Sequence, residues 1–435
     1  MALRGIDKKL GKILPAECII TAPELCAAYE VDGMRPSAVV RPCAAAQIAK
    51  VLEICAREGW GVIPWGSGTQ IGIGNVPRAF DVVLDLADLD SVIEYDADNL
   101  TFSANAGCTL RALAELFDKK RQFLPLDPPA GDRATIGGVV AANAFGPSRL
   151  RYGAARDLVL GLQVALTNGE TIDVGGKTVK NVAGYDLTRA FIGSYGTLGV
   201  ITRVTCRLLP RPARSQTLVA DFSSPIAAFA SVAQVLNSRL LPTRLDIVPG
   251  ELIAKHPDTG VSLIVGIDGS PETVERQSRD LFNLTSAGGA SVMILDDDSA
   301  EYAYRLTRDL PVTSKAPLII RSGLPIASSG RFWSSVEQLG GDRKAEVKLL
   351  ARAGLGFVHV FVEADLNRLI MLAEAIRTLA DEMGGYALIE RLPAELKADV
   401  DIWGPTRSDF PLMKSLKSHF DPTGILNPGR FIGRL

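Results

Sequence analysis

The stretch Pro64-Trp-Gly-Ser-Gly-Thr-Gln-Ile-Gly-Ile-Gly-Asn75 places four glycines, Gly66, Gly68, Gly72 and Gly74, within twelve residues. The apolar run Gly61-Val62-Ile63 leads into it, and Pro77 closes it. Glycine accepts positive φ and removes the side chain that would hold a ligand away from the backbone. Successive exposed N–H groups in such a loop form an anion-binding concavity. The stretch reads as a cradle for a phosphate or pyrophosphate, with a ligand-free glycine hairpin as the alternative.

The flanks form a β-α-β unit. Residues 38–42 read as a strand, and residues 44–58 are helical, with Ile48, Val51, Leu52 and Cys55 on one face. Gly59 stops that helix, and residues 61–64 form the strand that delivers the loop. A Rossmann fingerprint needs a third glycine and a following helix. Here Ile71 stands at the third glycine position, and strand-like residues 81–86 follow with no helix between. A P-loop needs Gly-Lys-Ser/Thr after its glycines, and none is present. Both common nucleotide motifs fail.

A chain of 435 residues is long enough for two or three domains. Its 47% apolar and 22% charged residues suit a folded globular protein. A net charge of −2 with no basic stripe argues against nucleic-acid binding. The mean hydropathy of +0.17 points to buried subunit interfaces. No signal-type apolar core follows Arg4, Lys8 and Lys9. No run approaches the roughly 18 apolar residues of a membrane span. The six cysteines lie far apart without a Cys-x-x-Cys pair. They read as reduced thiols of a cytoplasmic protein rather than ligands of an iron–sulfur or zinc cluster.

The next hundred residues carry further ordered motifs. Ala106-Gly-Cys-Thr-Leu110 opens a helix over 109–119, with Thr109 as N-cap. Asp127-Pro-Pro-Ala-Gly-Asp-Arg-Ala-Thr-Ile-Gly-Gly138 follows, then Arg151-Tyr-Gly153 and a hairpin turned at Asn168-Gly169. Lys180-Asn-Val-Ala-Gly-Tyr-Asp-Leu187 and Gly193-Ser-Tyr-Gly-Thr-Leu-Gly-Val-Ile201 complete the series. Each motif is weak alone. In this order, they resemble the FAD-binding domain of the vanillyl-alcohol oxidase superfamily, nearest to the subunits of bacterial glycolate oxidase and D-lactate dehydrogenase.

That resemblance implies an α+β fold: a two-subdomain PCMH-type FAD-binding domain with an α+β cap. It divides the chain into a helical arm at 1–35, the FAD domain at 36–212, the cap at 213–385, and a segment at 386–435 that returns to the FAD domain. It implies that Pro64, Gly66, Ser67, Gly68, Thr69 and Gln70 line the pyrophosphate. Pro128, Thr135, Ile136, Gly137, Gly138 and Asn143 would line the other side, where a helix N-terminus adds a favourable dipole. Tyr152, Gly153, Asp157, Val200 and Ile201 would complete the adenine and ribose side. Superfamily members often attach flavin through a histidine in the glycine loop; here Thr69 and Gln70 occupy it, so the FAD is expected to be non-covalent.

From residue 213 the texture changes to strands alternating with helices, which reads as the cap, with Pro210-Arg-Pro212 as its hinge. Catalytic members of the resembled family carry H-A-G-D-G-N-L-H and G-E-H-G for metal ligation. The first motif falls on Arg352-Ala-Gly-Leu-Gly-Phe-Val-His359, where only His359 remains. The second falls on Glu390-Arg391, again without its histidine. A borderline divalent cation needs several imidazole or carboxylate ligands, so no metal site is expected. Arg352, His359 and Glu390 stay as catalytic candidates. Arg352 could grip a carboxylate, or be a plain exposed charge; His359 reads first as a core or interface histidine.

At the C-terminus, Phe420-Asp-Pro-Thr-Gly-Ile-Leu-Asn-Pro-Gly-Arg430 resembles the family's closing motif, with Asn427 as the expected contact and Asp421-Pro-Thr-Gly readable as a plain turn. The resemblance implies an FAD-binding subunit of a glycolate or other 2-hydroxy-acid dehydrogenase complex. It would relay electrons, with a related catalytic FAD subunit and an iron–sulfur subunit as partners, and would meet a membrane only through them. The alternatives are a self-sufficient flavin dehydrogenase using Arg352, Lys180 or Tyr185, and a non-catalytic scaffold.

Overall fold

The computed structural model describes residues 5–178, 185–253 and 260–435. Lys180 to Gly184 of the K-N-x-x-G motif, and His256, lie outside the described residues.

Two hydrophobic cores organise the molecule. The first is built on a small sheet of β1 (Ile19–Ile20), β2 (Ala38–Val40), β3 (Val62–Trp65) and β4 (Val82–Asp85), ordered β1-β2-β4-β3. β2, β4 and β3 run parallel, and the helix Ala45–Glu58 makes the crossover from β2 to β3. Gly59 ends that helix at φ 70°, a left-handed position that a Cβ would strain. The chain continues through β5 (Val92–Asp96), β6 (Thr101–Asn105), β7 (Gln122–Phe123), β8 (Val159–Ala165), β9 (Thr171–Gly175), β10 (Val200–Arg207) and β11 (Leu209–Pro210). Five of these form an antiparallel sheet, β5-β6-β10-β8-β9, and β7 pairs with β11. One continuous core, from Ile6 to Leu208, joins both sheets.

The second core belongs to an eight-stranded sheet. Its strands are β12 (Arg214–Phe222), β13 (Arg244–Pro249), β14 (Val261–Gly269), β15 (Ser291–Ile294), β16 (Leu318–Gly323), β17 (Glu346–Arg352), β18 (Phe357–Glu363) and β19 (Tyr386–Arg391). They are ordered β15-β12-β14-β13-β17-β18-β16-β19, and all the recorded pairings are antiparallel. The helices Pro225–Leu236, Pro271–Ala287, Ser329–Asp342 and Leu366–Glu382 bury apolar faces against this sheet. The α+β class expected from the motifs is the observed one.

Two expected boundaries move. Residues 1–35 are not a separate helical arm: Ile6, Leu10 and Leu14 are buried in the first core, and Ile19–Ile20 pair with Val39–Val40. Apolar spacing alone did not reveal that a two-residue strand would add to the sheet edge. The break at 385 falls one strand early, because β19 pairs with β16 and Leu388, Ile389, Leu392, Val400 and Ile402 fill the cap core. The chain rejoins the first core at Ile425 and Leu426, where Val62 and Leu426 form a parallel bridge. At the expected hinge, Pro210 pairs with Gln122, and the Arg211 amide donates to the Arg121 carbonyl, so this segment is tied to the first core. Among the described residues no helix is long and apolar enough to cross a membrane.

Candidate functional site: a flavin cradle and an adjoining polar cavity

β3 delivers the glycine loop, and the loop's own Asn75 and two distant cations, Arg430 and Lys397, hold it open. Asn75, fully buried, donates to the Asp401 carboxylate at 3.1 Å and accepts from the Ile402 amide at 2.9 Å. Arg430 donates to the carbonyls of Ile71 at 2.5 Å and Ile73 at 3.2 Å. Lys397 donates to the Gly72 carbonyl at 2.8 Å and pairs with Asp32 at 2.7 Å. With carbonyls turned outward onto these cations, the loop is braced before any ligand arrives, which lowers the ordering cost of binding.

The opposite wall is the start of the helix Ile136–Ala142. Thr135 caps it, its hydroxyl accepting from the Gly138 amide at 3.4 Å. Loop and helix approach so closely that a Cβ on Gly66 would lie 2.3 Å from Thr135 Oγ1. A Cβ on Gly137 would lie 2.5 Å from that of Ala106. Tyr195, Gly196, Thr197, Gly199, Val200 and Ile201 form a third side, and Trp403, Asn427, Arg430 and Phe431 close the cavity, which measures about 920 Å³.

Strain converges here. Asn143, Tyr195 and Asn427 are non-glycine residues at φ 47°, 53° and 45°. Left-handed backbone costs a non-glycine residue on the order of 1–3 kcal/mol and persists where surrounding structure over-determines it. Asn427 Nδ2 donates to the Tyr195 carbonyl at 2.6 Å, locking two of these residues together. The Oδ1 atoms of Asn427 and Asn143 are buried without a partner among the described residues. A buried acceptor left open is costly unless a ligand or water fills it. Arg430 is the only charged side chain on the first cavity's wall among the described residues, and burial lowers its pKa to about 10. Anion recognition here falls to backbone amides.

A second cavity, about 1330 Å³, opens from the first and shares Gly68, Thr69, Gln70, Ile73, Ala142 and Tyr195 with it. Its far wall is the cap sheet. His359 on β18, Arg321 on β16 and Glu390 on β19 come from three adjacent strands. Arg321 Nε donates to Glu390 Oε1 at 2.6 Å, and His359 Nε2 lies 3.5 Å from Glu390 Oε2. Burial pushes the Glu390 carboxyl up, but Arg321 and His359 outweigh it and hold the group down at about 2. Burial drives the His359 pKa below its ordinary value against the pull of Glu390. His359 Nδ1 has no partner among the described residues.

Of the expected cofactor residues, Pro64, Gly66, Ser67, Gly68, Thr69, Gln70, Thr135, Gly137, Gly138, Val200, Ile201 and Asn427 line the first cavity. Asn143 lines the second. Ile136 sits in the core behind the glycines, and Pro128 is buried away from both cavities. Tyr152, Gly153 and Asp157 are not brought to the cradle. The Tyr152 hydroxyl donates to Asp268 on β14 at 2.7 Å, bracing the cap, and Asp157 accepts from the Ala154 amide at 2.9 Å across the turn at Gly153.

Arg352 is not an exposed charge. Its Nη1 donates to Asp246 at 2.9 Å and its Nη2 to the Thr307 carbonyl at 2.6 Å, with both ion-pair side chains almost wholly buried. Phe357, at the former asparagine position, packs on Phe145 with ring centroids 4.9 Å apart. Among the described residues no group of three or more His, Cys, Asp or Glu converges as a metal ligand set. Tyr185 is 96% exposed and lines neither cavity. Asp421 is more than a turn: its buried carboxylate accepts from Lys417 Nζ at 2.7 Å and from the Leu426 amide at 2.9 Å.

Sequence reasoning missed Arg321, Trp403, Arg430 and Phe431. A lone arginine inside the apolar strand Leu318-Ile-Ile-Arg-Ser-Gly323 was a readable signal for the first. Nothing local marks Trp403, which reaches the site through its contacts with Tyr195, at 4.9 Å, and Phe431, at 5.0 Å.

A braced glycine cradle facing a capped helix, with a cap sheet over its mouth, defines an FAD-dependent oxidoreductase of the PCMH type. Residues 36–175 match the FAD binding domain, and residues 211–393 and 404–431 match the C-terminal domain of FAD linked oxidases; the chain belongs to this FAD-linked oxidase family. It is 29% identical to the glycolate oxidase subunit GlcD of Bacillus subtilis, covering 92% of this chain and 89% of that protein. It is 26% identical to D-lactate dehydrogenase of Anaerostipes hadrus, covering 92% and 90%. Its fold matches p-cresol methylhydroxylase with a TM-score of 0.78 at 15% identity, over 98% of this chain and 95% of that one.

Proposed function

We propose that the chain is the FAD-binding subunit of a 2-hydroxy-acid dehydrogenase complex, relaying electrons from substrate oxidation to a partner iron–sulfur subunit. The relatives named for glycolate and D-lactate support the substrate class. The observation that carries the subunit role is an intact flavin cradle beside a former metal motif whose positions now hold a locked Arg352–Asp246 pair and Phe357. A related FAD subunit would then perform the metal-dependent oxidation, in the cytoplasm, with any membrane contact made through partners.

Bound FAD supplies two-electron acceptance and one-electron release. The chain's own residues hold and orient it. Loop amides from Gly66 to Gln70 would hold the diphosphate, and Asn427 Oδ1 and Asn143 Oδ1, buried without a partner among the described residues, would accept hydrogen bonds from the cofactor. Tyr195, Trp403 and Phe431 exclude water. No histidine or cysteine lines the first cavity among the described residues, which supports non-covalent attachment. Denaturing precipitation is expected to leave a colourless pellet with all flavin in the supernatant.

Purification from the native host is expected to recover the two partner subunits. The isolated holo-chain is expected not to turn over glycolate or D-lactate at enzyme rates, and turnover by that chain alone overturns the relay role. The second reading, a self-sufficient dehydrogenase, is favoured by the polar cavity at the flavin's edge. Rapid flavin bleaching by one member of a hydroxy-acid and alcohol panel would establish it.

A further inference from the structure

Five cationic side chains line the second cavity: Arg133, Arg321, Arg352, Arg391 and Lys397. Most are spent. Arg352 is held by Asp246 and the Thr307 carbonyl, Lys397 by Asp32 and the Gly72 carbonyl, and Arg391 by the carbonyls of Ser314 and Val312. Arg133 sits on the exposed rim.

Arg321 differs. Only its Nε is engaged, by Glu390, and its two terminal nitrogens have no protein partner among the described residues. Its guanidinium lies 5.4 Å from the Phe145 ring and 5.6 Å from the Phe357 ring, within cation–π range of both. Two parallel N–H donors fixed in a plane match the two oxygens of a carboxylate. Three of the cations are matched by Asp32, Asp246 and Glu390, while Arg391 and Arg133 have no carboxylate partner among the described residues, which leaves excess positive charge on the described lining of the cavity. His359, whose side chain is 7% exposed and whose Nδ1 has no partner among the described residues, completes a polar wall in which the Glu390 carboxylate bridges the Arg321 guanidinium and the His359 imidazole.

We infer that this cavity is a metal-independent carboxylate site, in which Arg321 supplies the fixed positive charge that anchors a small carboxylic acid beside the flavin. The inference goes beyond the relay role and does not depend on it, because binding is read without turnover or partners.

The test uses the FAD-loaded full chain in the presence of a strong chelator. Glycolate and D-lactate are titrated while flavin absorbance and heat are followed, with ethylene glycol and propane-1,2-diol as uncharged counterparts. Saturable binding of the acids, at least about ten-fold tighter than the diols, is expected to survive the chelator. Arg321→Gln is expected to weaken the acids by about ten-fold or more and leave the diols unchanged, with Arg321→Lys recovering part of the loss. Because Arg321→Gln leaves Glu390 buried without its partner, the double variant R321Q/E390Q tests the same point in a chain free of that orphan charge. Binding lost to the chelator, equal binding of acids and diols, or unchanged acid binding in both variants overturns the inference.

Discussion

The two cavities meet at Gly68, Thr69, Gln70, Ile73, Ala142 and Tyr195, yet they are built in opposite ways. The flavin cradle is a backbone site: glycines, a helix cap and residues held at positive φ. Charge stands behind it, with Arg430 and Lys397 gripping outward-turned carbonyls. The second cavity is a side-chain site, where Arg321, His359 and Glu390 converge from three strands of the cap sheet. A backbone site tolerates change in everything except its glycines and braces. A side-chain site can exchange a metal-ligand set for an arginine–glutamate pair while the sheet beneath stays the same.

The contrast breaks most visibly at Arg352. Arg352→Met leaves Asp246 charged and buried, and is expected to cost about 3–5 kcal/mol in urea unfolding while holo protein keeps its flavin. The double change R352M/D246L is expected to recover most of that loss, since a buried pair replaced by apolar groups is often neutral. Gly66→Ala sets a Cβ against Thr135, an overpacking of about 1–3 kcal/mol confined to the cradle. Flavin affinity is expected to fall by about ten-fold or more, read from visible absorbance after gel filtration, in addition to that loss of apoprotein stability.

Glu390 sharpens the comparison through pH. Its carboxyl titrates at about 2 in the fold against an ordinary 4.5. It therefore contributes stability that is fully present above pH 4.5 and is lost as pH falls toward 2. Glu390→Gln is expected to be less stable than the parent at neutral pH, and that gap is expected to narrow as pH drops through this window. Chemical unfolding at several pH values checks it, and a gap that stays constant argues against the ion pair. The smallest effect is Thr135→Ala, which removes a helix cap and is expected to cost about 1 kcal/mol in the denaturant midpoint.

The cradle was legible because its requirements are local. Gly66, Gly68, Gly137 and Gly138 are written where the backbone needs them, and Thr135 caps the helix three residues before its bonded amide. The departure from the resembled metal motif was legible too, since Leu355 and Phe357 stand where that motif carries aspartate and asparagine. The fate of the survivors was not. Arg352 faces Asp246 across more than a hundred residues, and Arg321 meets Glu390 across sixty-nine, pairings set only by strand order. Tyr152, Gly153 and Asp157 looked like ligand contacts because they lie among ligand motifs; they brace the cap and a turn instead.

By itself the sequence determined the class of fold and, through the family that its ordered motifs resemble, the cofactor. The glycine positions and apolar periodicity behind the fold act within one turn or strand. The tertiary structure decided what braces the loop, where the cap sheet ends, and which cation in the second cavity pairs with Glu390 through Nε alone. Those outcomes depend on side chains brought together by an eight-stranded sheet and a returning C-terminus. In such a setting a charge is defined by its partner, and the partner lies far away in sequence.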